Sequence, residues 1–284
     1  MPAYNATRRN RNIGTAKSGH GQDNRMVIPK VAHGENDFWE RIEKARLVNR
    51  TVSGRPVKFF VQPTLEDCVH ACTVDDIAQM LWLTNKGDWD GIEAILLRQP
   101  RRKEQTLAPV WGRLAYAAEL VNQRGIAVHS GPVLVIEAVN PARPMKYGKS
   151  LSPEDIAELE RLRVDGHRVL PRNRNHSFVS TLESCRATQL YRTLLHEIGH
   201  WLEFLENVER PAAAIEGRPN VDVYENLLQR FHTRPFQERE QYAHAYAERV
   251  RQSLLKNRTI PFEQKLDQKQ LKADGLRRDD FELL

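Results

Sequence analysis

Two histidines four residues apart, His196 and His200, with Glu197 directly after the first, are the residues of this chain best spaced to do chemistry together. On an α-helix positions i and i+4 lie on one face, so both imidazoles can grip a single ion. Zn²⁺ suits imidazole donors and lowers the pKa of its bound water to about 7. Glu197 projects beside such an ion, where its carboxylate can take the proton of that water and deliver hydroxide to a polarised carbonyl. The chemistry implied is hydrolysis, of a peptide bond above all.

The neighbours of the motif support a buried helix. Leu194, Leu195, Ile198, Gly199, Trp201 and Leu202 are all uncharged, and a charge on the packed side would be left without water. Ala187, Leu190, Tyr191, Leu194, Ile198, Trp201 and Leu205 form an i, i+3, i+4 stripe, while Thr193, His196, Glu197 and His200 share a separate face. A second helix opens after Pro235, and no glycine or proline interrupts the run to Glu248. Glu240, Ala243, His244 and Ala247 share one face of it; small alanines permit close helix approach and would bring Glu240 to the ion. Other donors compete. Glu238 sits in the first turn, where a carboxylate also suits the helix dipole. His244, one turn beyond Glu240, can ligate directly or donate to substrate, and Glu248 lies further along.

With these surroundings the motif resembles the longer signature of the zincin metallopeptidases, in which uncharged residues flank His-Glu-x-x-His and a small or β-branched residue stands where Thr193 does. The pattern Glu-x-x-Ala-x-Ala-aromatic at Glu240–Tyr246 resembles the third-ligand helix of glutamate-type zincins (gluzincins), notably the anthrax-lethal-factor-like peptidases. Antirestriction and ImmA/IrrE-type peptidases carry looser versions. The likeness runs from Leu190 to Val250. It implies one zinc per chain held by His196, His200 and Glu240, with Glu197 as general base. It also implies an α+β fold, with a small mixed sheet before the motif helix and a C-terminal helical subdomain carrying the third ligand. An edge strand would bind an extended substrate by strand addition; Ser177–Leu182 and Val133–Val139 are the candidates. One departure stands out. The lethal-factor group has an oxyanion-stabilising tyrosine seven residues before the third ligand, where this chain has Thr233. His232, His244, Tyr224, Tyr242 and Tyr246 are the candidate substitutes.

The remaining sequence sets bounds. The 284 residues suffice for one large domain or two small ones, and 40% hydrophobic with 28% charged residues is ordinary for a soluble protein. No apolar run spans a bilayer and no signal peptide is visible, so a cytoplasmic protein is expected, with secretion by a specialised system left open. Three cysteines make no disulfide framework. Cys68-Val69-His70-Ala71-Cys72 offers metal donors, but no second pair with structural spacing exists, and buried thiols are the simpler reading. His176 precedes the motif helix as a loop or cleft residue. The net charge of +6 invites a nucleic-acid partner alongside a peptide substrate, yet Arg8, Arg9, Arg11, Lys17, Arg25 and Lys30 cluster in an arm of low hydrophobicity.

Organisation follows from these shifts: a basic arm over 1–35, an α/β region over 36–145, a peptidase region over 146–255 and a charged tail over 256–284. Phe38–Val48 reads as a helix, while Val57–Val61, Glu93–Arg98 and Val133–Ala138 read as strands, as does Trp111–Leu120, whose alanines also allow a helix. Thr73 and Ser152 cap helices, and a connecting helix is expected at Val221–Phe231. Two functions fit: an active zinc metallopeptidase, or a non-catalytic interaction or regulatory protein on a zincin scaffold, nucleic-acid-associated in some relatives. Glu197 favours the enzyme, because ligand geometry alone does not require it.

Overall fold

A computed structural model describes residues 38–107, 110–147, 150–171, 176–214 and 221–282; the basic arm over 1–35 lies outside the described residues. Strands β1 (Phe38–Arg41), β2 (Arg46–Val52), β3 (Arg55–Val61), β4 (Ala94–Arg98), β5 (Gly112–Val121) and β6 (Ala127–Glu137) form a mixed sheet in the order β1-β5-β6-β4-β3-β2. Parallel pairing joins β3 to β4 and β4 to β6, whereas β2 is antiparallel to β3 and β5 to β6. A smaller antiparallel sheet comprises β7 (Met145–Tyr147), β8 (Arg168–Pro171) and β9 (His176–Val179), with β9 central.

Every residue of β4 is buried, as a central parallel strand requires. Phe59, Ile95, Leu97, Leu134 and Ile136 on one sheet face pack against helices, in a core that also holds Ile77, Met80, Leu194, Ile198 and Trp201. The alternate residues Phe60, Leu96, Val133 and Val135 join Ile42 and Leu120 in a second cluster.

Helix α1 (Val74–Leu83) starts where Thr73 and Asp76 make a capping box. The Asp76 carboxylate also accepts from Arg186 Nε and Nη2 at 3.0 and 2.9 Å, tying α1 to the later helical rod. A short α2 (Arg102–Leu107) follows β4, and α3 (Pro153–Val164) opens on the Ser152–Asp155 box. The rod consists of α4 (Leu182–Thr188), a π-helical turn at Gln189–Thr193, α5 (Leu194–Phe204), a second π turn at Leu205–Glu209 and α6 (Arg210–Ala213). Such turns are rare and concentrate at functional sites. Here the first one aims the buried Gln189 amide at the sheet, where Nε2 donates to the Trp111 and Glu137 carbonyls at 3.0 and 2.7 Å. Helices α7 (Val221–Thr233), α8 (Phe236–Lys256) and α9 (Gln268–Ala273) complete the chain.

Three expectations change. Phe38–Val48 is not a helix but β1 and the start of β2, separated by a turn with Lys44 at φ 57°; pairing with β5 and β3 overrides the local pattern. Neither proposed edge strand is one: β6, which contains Val133–Glu137, lies between β5 and β4, and β9 lies between β7 and β8. Leu182 already begins α4. The described part of the charged tail, 256–282, packs into the molecule, since Ile260, Leu271, Leu276 and Phe281 are buried in the main core and Asp280 accepts from the Thr64 backbone. Its apolar residues are simply too sparse to register as a pattern. From Phe38 onward the chain is one compact unit, and α8, which carries Glu240, belongs to it.

Candidate metal centre

Helix α5 presents His196 and His200 on one face, and α8 brings Glu240 to them. The helices touch backbone to backbone: a Cβ on Gly199 would meet Ala243 Cα at 3.0 Å, Ala243 O at 3.1 Å and Tyr246 Cβ at 3.2 Å. Glycine eases that approach, which falls one turn beyond Glu240 on α8. His196 Nε2 lies 3.3 Å from Glu240 Oε2, His200 Nε2 lies 3.3 Å from Glu240 Oε1, and the two Nε2 atoms are 3.0 Å apart. Two ligand atoms bound at roughly 2.0–2.1 Å to a tetrahedral ion sit about 3.3 Å from each other. These donors therefore match the spacing of three ligands on one ion. His244 is the outer member: its Nε2 is 4.0 Å from Glu240 Oε2 and its ring centroid 4.4 Å from that of His196. His196, Glu240 and His244 also form a trio with ligand atoms within 4.8 Å. The tighter His196–His200–Glu240 set has the better spacing for primary ligands, which leaves His244 as a group lining the site.

Glu197 points from α5 to β5, where its Oε2 accepts from the Leu114 N–H at 2.8 Å. That amide is available because β1 pairs only with Ala118–Val121 of β5. Along Gly112–Ala115 the strand has β6 on one side and, among the described residues, no strand on the other. Among the described residues, the first half of β5 is thus paired on one side only. Gly112 lets it run close beneath the rod: a Cβ there would meet Val135 O at 2.6 Å and Thr193 Cγ2 at 3.0 Å.

The two carboxylates are driven apart. Burial pushes Glu240 up, but hydrogen bonds from His196 and His200 outweigh it and hold the carboxyl well below the usual range. Burial likewise pushes Glu197 up, and there it prevails over His196, His200 and the Leu114 amide. One group is a fixed anion suited to ligation; the other can take a proton, the division of roles expected of paired catalytic carboxylates. His244 is lowered to about 4 by burial and by the neighbouring His196 and Arg161, so its ring is neutral at pH 7.

The other candidates lie elsewhere. Tyr242 donates to Glu206 at 2.7 Å, Tyr246 to Asp88 at 2.7 Å and Tyr224 to Glu209 at 3.0 Å. Positions two and six residues from Glu240 are rotated by about 200° and 120° around a helix, so neither tyrosine of α8 can follow it into the site. His232 packs edge-on to Tyr116 at 6.4 Å. Glu238 pairs with Arg234, and Glu248 accepts from Gln252. Cys68, His70 and Cys72 diverge toward Gln105, the Gln62 carbonyl and Gln189 respectively, and all three cysteines are buried free thiols. The His176 side chain lies outside the described residues.

A cleft of about 1120 Å³ opens on His196, Glu197, Glu240 and His244. Trp111, Arg113, Glu158, Arg161, Ser177 and Arg192 also line it, and motif reasoning overlooked them. Arg192 alone carried a usable signal, standing four residues before His196. The others reach the cleft through tertiary packing. No helix among the described residues is long and apolar enough to cross a membrane. No protein-family model, curated protein or solved structure matches this chain.

Proposed function

We propose that this protein is a zinc-dependent metallopeptidase of the glutamate-zincin kind, with His196, His200 and Glu240 as metal ligands and Glu197 as general base. The observation that carries the reading is the convergence of three donor atoms at 3.0–3.3 Å with the half-buried Glu197 carboxylate alongside, beside a cleft that His196, Glu197 and Glu240 line. Two imidazoles and a carboxylate are a donor set typical of catalytic zinc, which leaves a position for water. When bound, the ion polarises the scissile carbonyl and makes its water acidic.

The chain's own groups supply the rest. Glu197 Oε2 is anchored by the Leu114 amide, which leaves the other oxygen to accept the proton of the attacking water. Its raised pKa favours holding that proton until it passes to the leaving amine. Residues Gly112–Ala115 offer backbone groups for pairing with an extended peptide, and Leu114 couples that edge directly to the base. His244, neutral and beside the ligands, is placed to donate to the oxygen of the scissile carbonyl. A reducing, cytoplasmic setting accords with three unpaired buried thiols.

The test is hydrolysis of a peptide library by zinc-reconstituted protein, compared with Glu197→Gln. Cleavage lost in the variant supports the reading, and equal cleavage by both removes Glu197 from the mechanism.

A further inference from the structure

One wall of the cleft carries more hydrogen-bond donors than its acceptors use. Arg161 on α3 gives Nε to Glu158 at 2.9 Å, and no other partner is found for it among the described residues. Arg192 directs Nη1 to Glu158 and Nε to Asp165, both at 2.8 Å, while its Nη2 is buried without a partner. Ser177 on β9 is 2% exposed, and its hydroxyl is also buried without a partner. All three residues line the same cleft as His196, Glu197 and Glu240. Within the cleft lining, Arg161 and Arg192 share the single carboxylate of Glu158.

Buried donors left unmatched cost about 1–3 kcal/mol each, so native proteins seldom keep them without a use. An acceptor with several lone pairs would satisfy these donors, and a carboxylate offers them with a geometry matched to the guanidinium fork. Location defines which carboxylate. Arg192 stands four residues before His196 on the same helical rod, and Arg161 lines the cleft together with His196 and His244. Successive residues of a peptide are about 3.8 Å apart, so the group reaching this wall belongs to a residue next to the bond being cut.

We propose that Arg161, Arg192 and Ser177 form a carboxylate-binding subsite that selects peptides bearing an acidic group beside the scissile bond. The proposal rests on the peptidase reading for its orientation, not for its chemistry. The carboxylate is either a Glu or Asp side chain or the C-terminus of a short peptide.

The experiment uses the full chain with Zn²⁺ and Glu197→Gln to prevent turnover, titrated calorimetrically with blocked probes. These are acetyl-Ala₃-Glu-Ala₃-amide, its Gln counterpart, and acetyl-Ala₆ as free acid and as amide. The Glu probe should bind about tenfold tighter than the Gln probe, a ratio set by charge-assisted hydrogen bonds. Adding Arg161→Gln should bring the ratio to about one. Arg161 is 36% exposed in its side chain, so this variant tolerates replacement; Arg192→Lys, with a melting curve to check folding, is the second. A preference for acetyl-Ala₆ acid over amide, without a Glu preference, would assign the subsite to a chain terminus. Equal affinity for all four probes, or none measurable, overturns the proposal. Equal cleavage of Glu and Gln probes by the wild type would overturn the subsite and keep the peptidase, whereas carboxylate-dependent binding without cleavage would do the reverse.

Discussion

Gly199→Ala tests how closely the two ligand-bearing helices must approach. The added methyl would lie 3.0 and 3.1 Å from backbone atoms of Ala243 and 3.2 Å from Tyr246 Cβ, against an optimum of about 3.5–4.0 Å between carbons. Helices α5 and α8 would therefore have to give by a few tenths of an ångström. Overpacking of this kind costs about 1–3 kcal/mol, and the better helix propensity of alanine returns about 1 kcal/mol. The net destabilisation is about 0–2 kcal/mol, a melting temperature lower by up to about 8 °C at 2–4 °C per kcal/mol for a unit of this size. The metal should be affected more than the fold. Glu240 is one turn from Ala243, ligand distances tolerate only about 0.2 Å, and disturbed support of a ligand typically costs about 10–100-fold in affinity. Chelator competition measures that affinity, and calorimetry measures stability. The obstructing atoms of Ala243 are Cα and O, not Cβ, so the double variant with Ala243→Gly should not recover binding. Unchanged zinc affinity in Gly199→Ala, or rescue by Ala243→Gly, would refute the close-approach account.

Glu197→Gln should keep zinc and lose at least about 100-fold in hydrolysis, as removal of a general base does; retained turnover in a steady-state assay would contradict the assignment. Tyr242→Phe and Tyr246→Phe should leave kcat within about threefold, because their hydroxyls serve Glu206 and Asp88, whereas an oxyanion donor would cost about 100-fold or more. The buried His167, bonded to Ser180 and Thr188, is lowered from 6.5 to about 4 by burial. Its folded form binds fewer protons than the unfolded one, so its contribution is full above pH 6.5 and lost as the pH falls to 4. Glu137 and Glu203, raised by burial, work in the opposite direction, so the comparison with His167→Gln isolates the histidine. The stability difference should shrink by on the order of 3 kcal/mol across that window in denaturant titrations, and a pH-independent difference would count against a neutral buried ring.

Much of the site's scaffold was legible because short-range rules specify it. The capping residues Thr73 and Ser152 announced α1 and α3, the apolar stripe through Leu190–Leu205 announced the motif rod, and the alanines after Glu240 marked the close contact with Gly199. What stayed hidden depends on distant partners. Phe38–Val48 has helix-like spacing of Phe38 and Ile42, but hydrogen bonds to β5 and β3 decide its state. The pairing of β1 with Ala118–Val121 of β5 joins residues some eighty positions apart, which no local pattern encodes. The tyrosines near Glu240 looked available until Glu206 and Asp88, remote in sequence, were found to hold them. The Arg161–Arg192 wall joins α3 to the π turn before the motif and has no sequence signature.

The central claim is that His196, His200 and Glu240 together hold one catalytic zinc. Elemental mass spectrometry of the purified, zinc-reconstituted protein and its Glu240→Ala variant tests it most directly. The account predicts near one zinc per chain in the wild type and a clear loss in the variant. Equal zinc in both would remove Glu240 from the ligand set, and no zinc in either would leave a scaffold without the metal its chemistry requires.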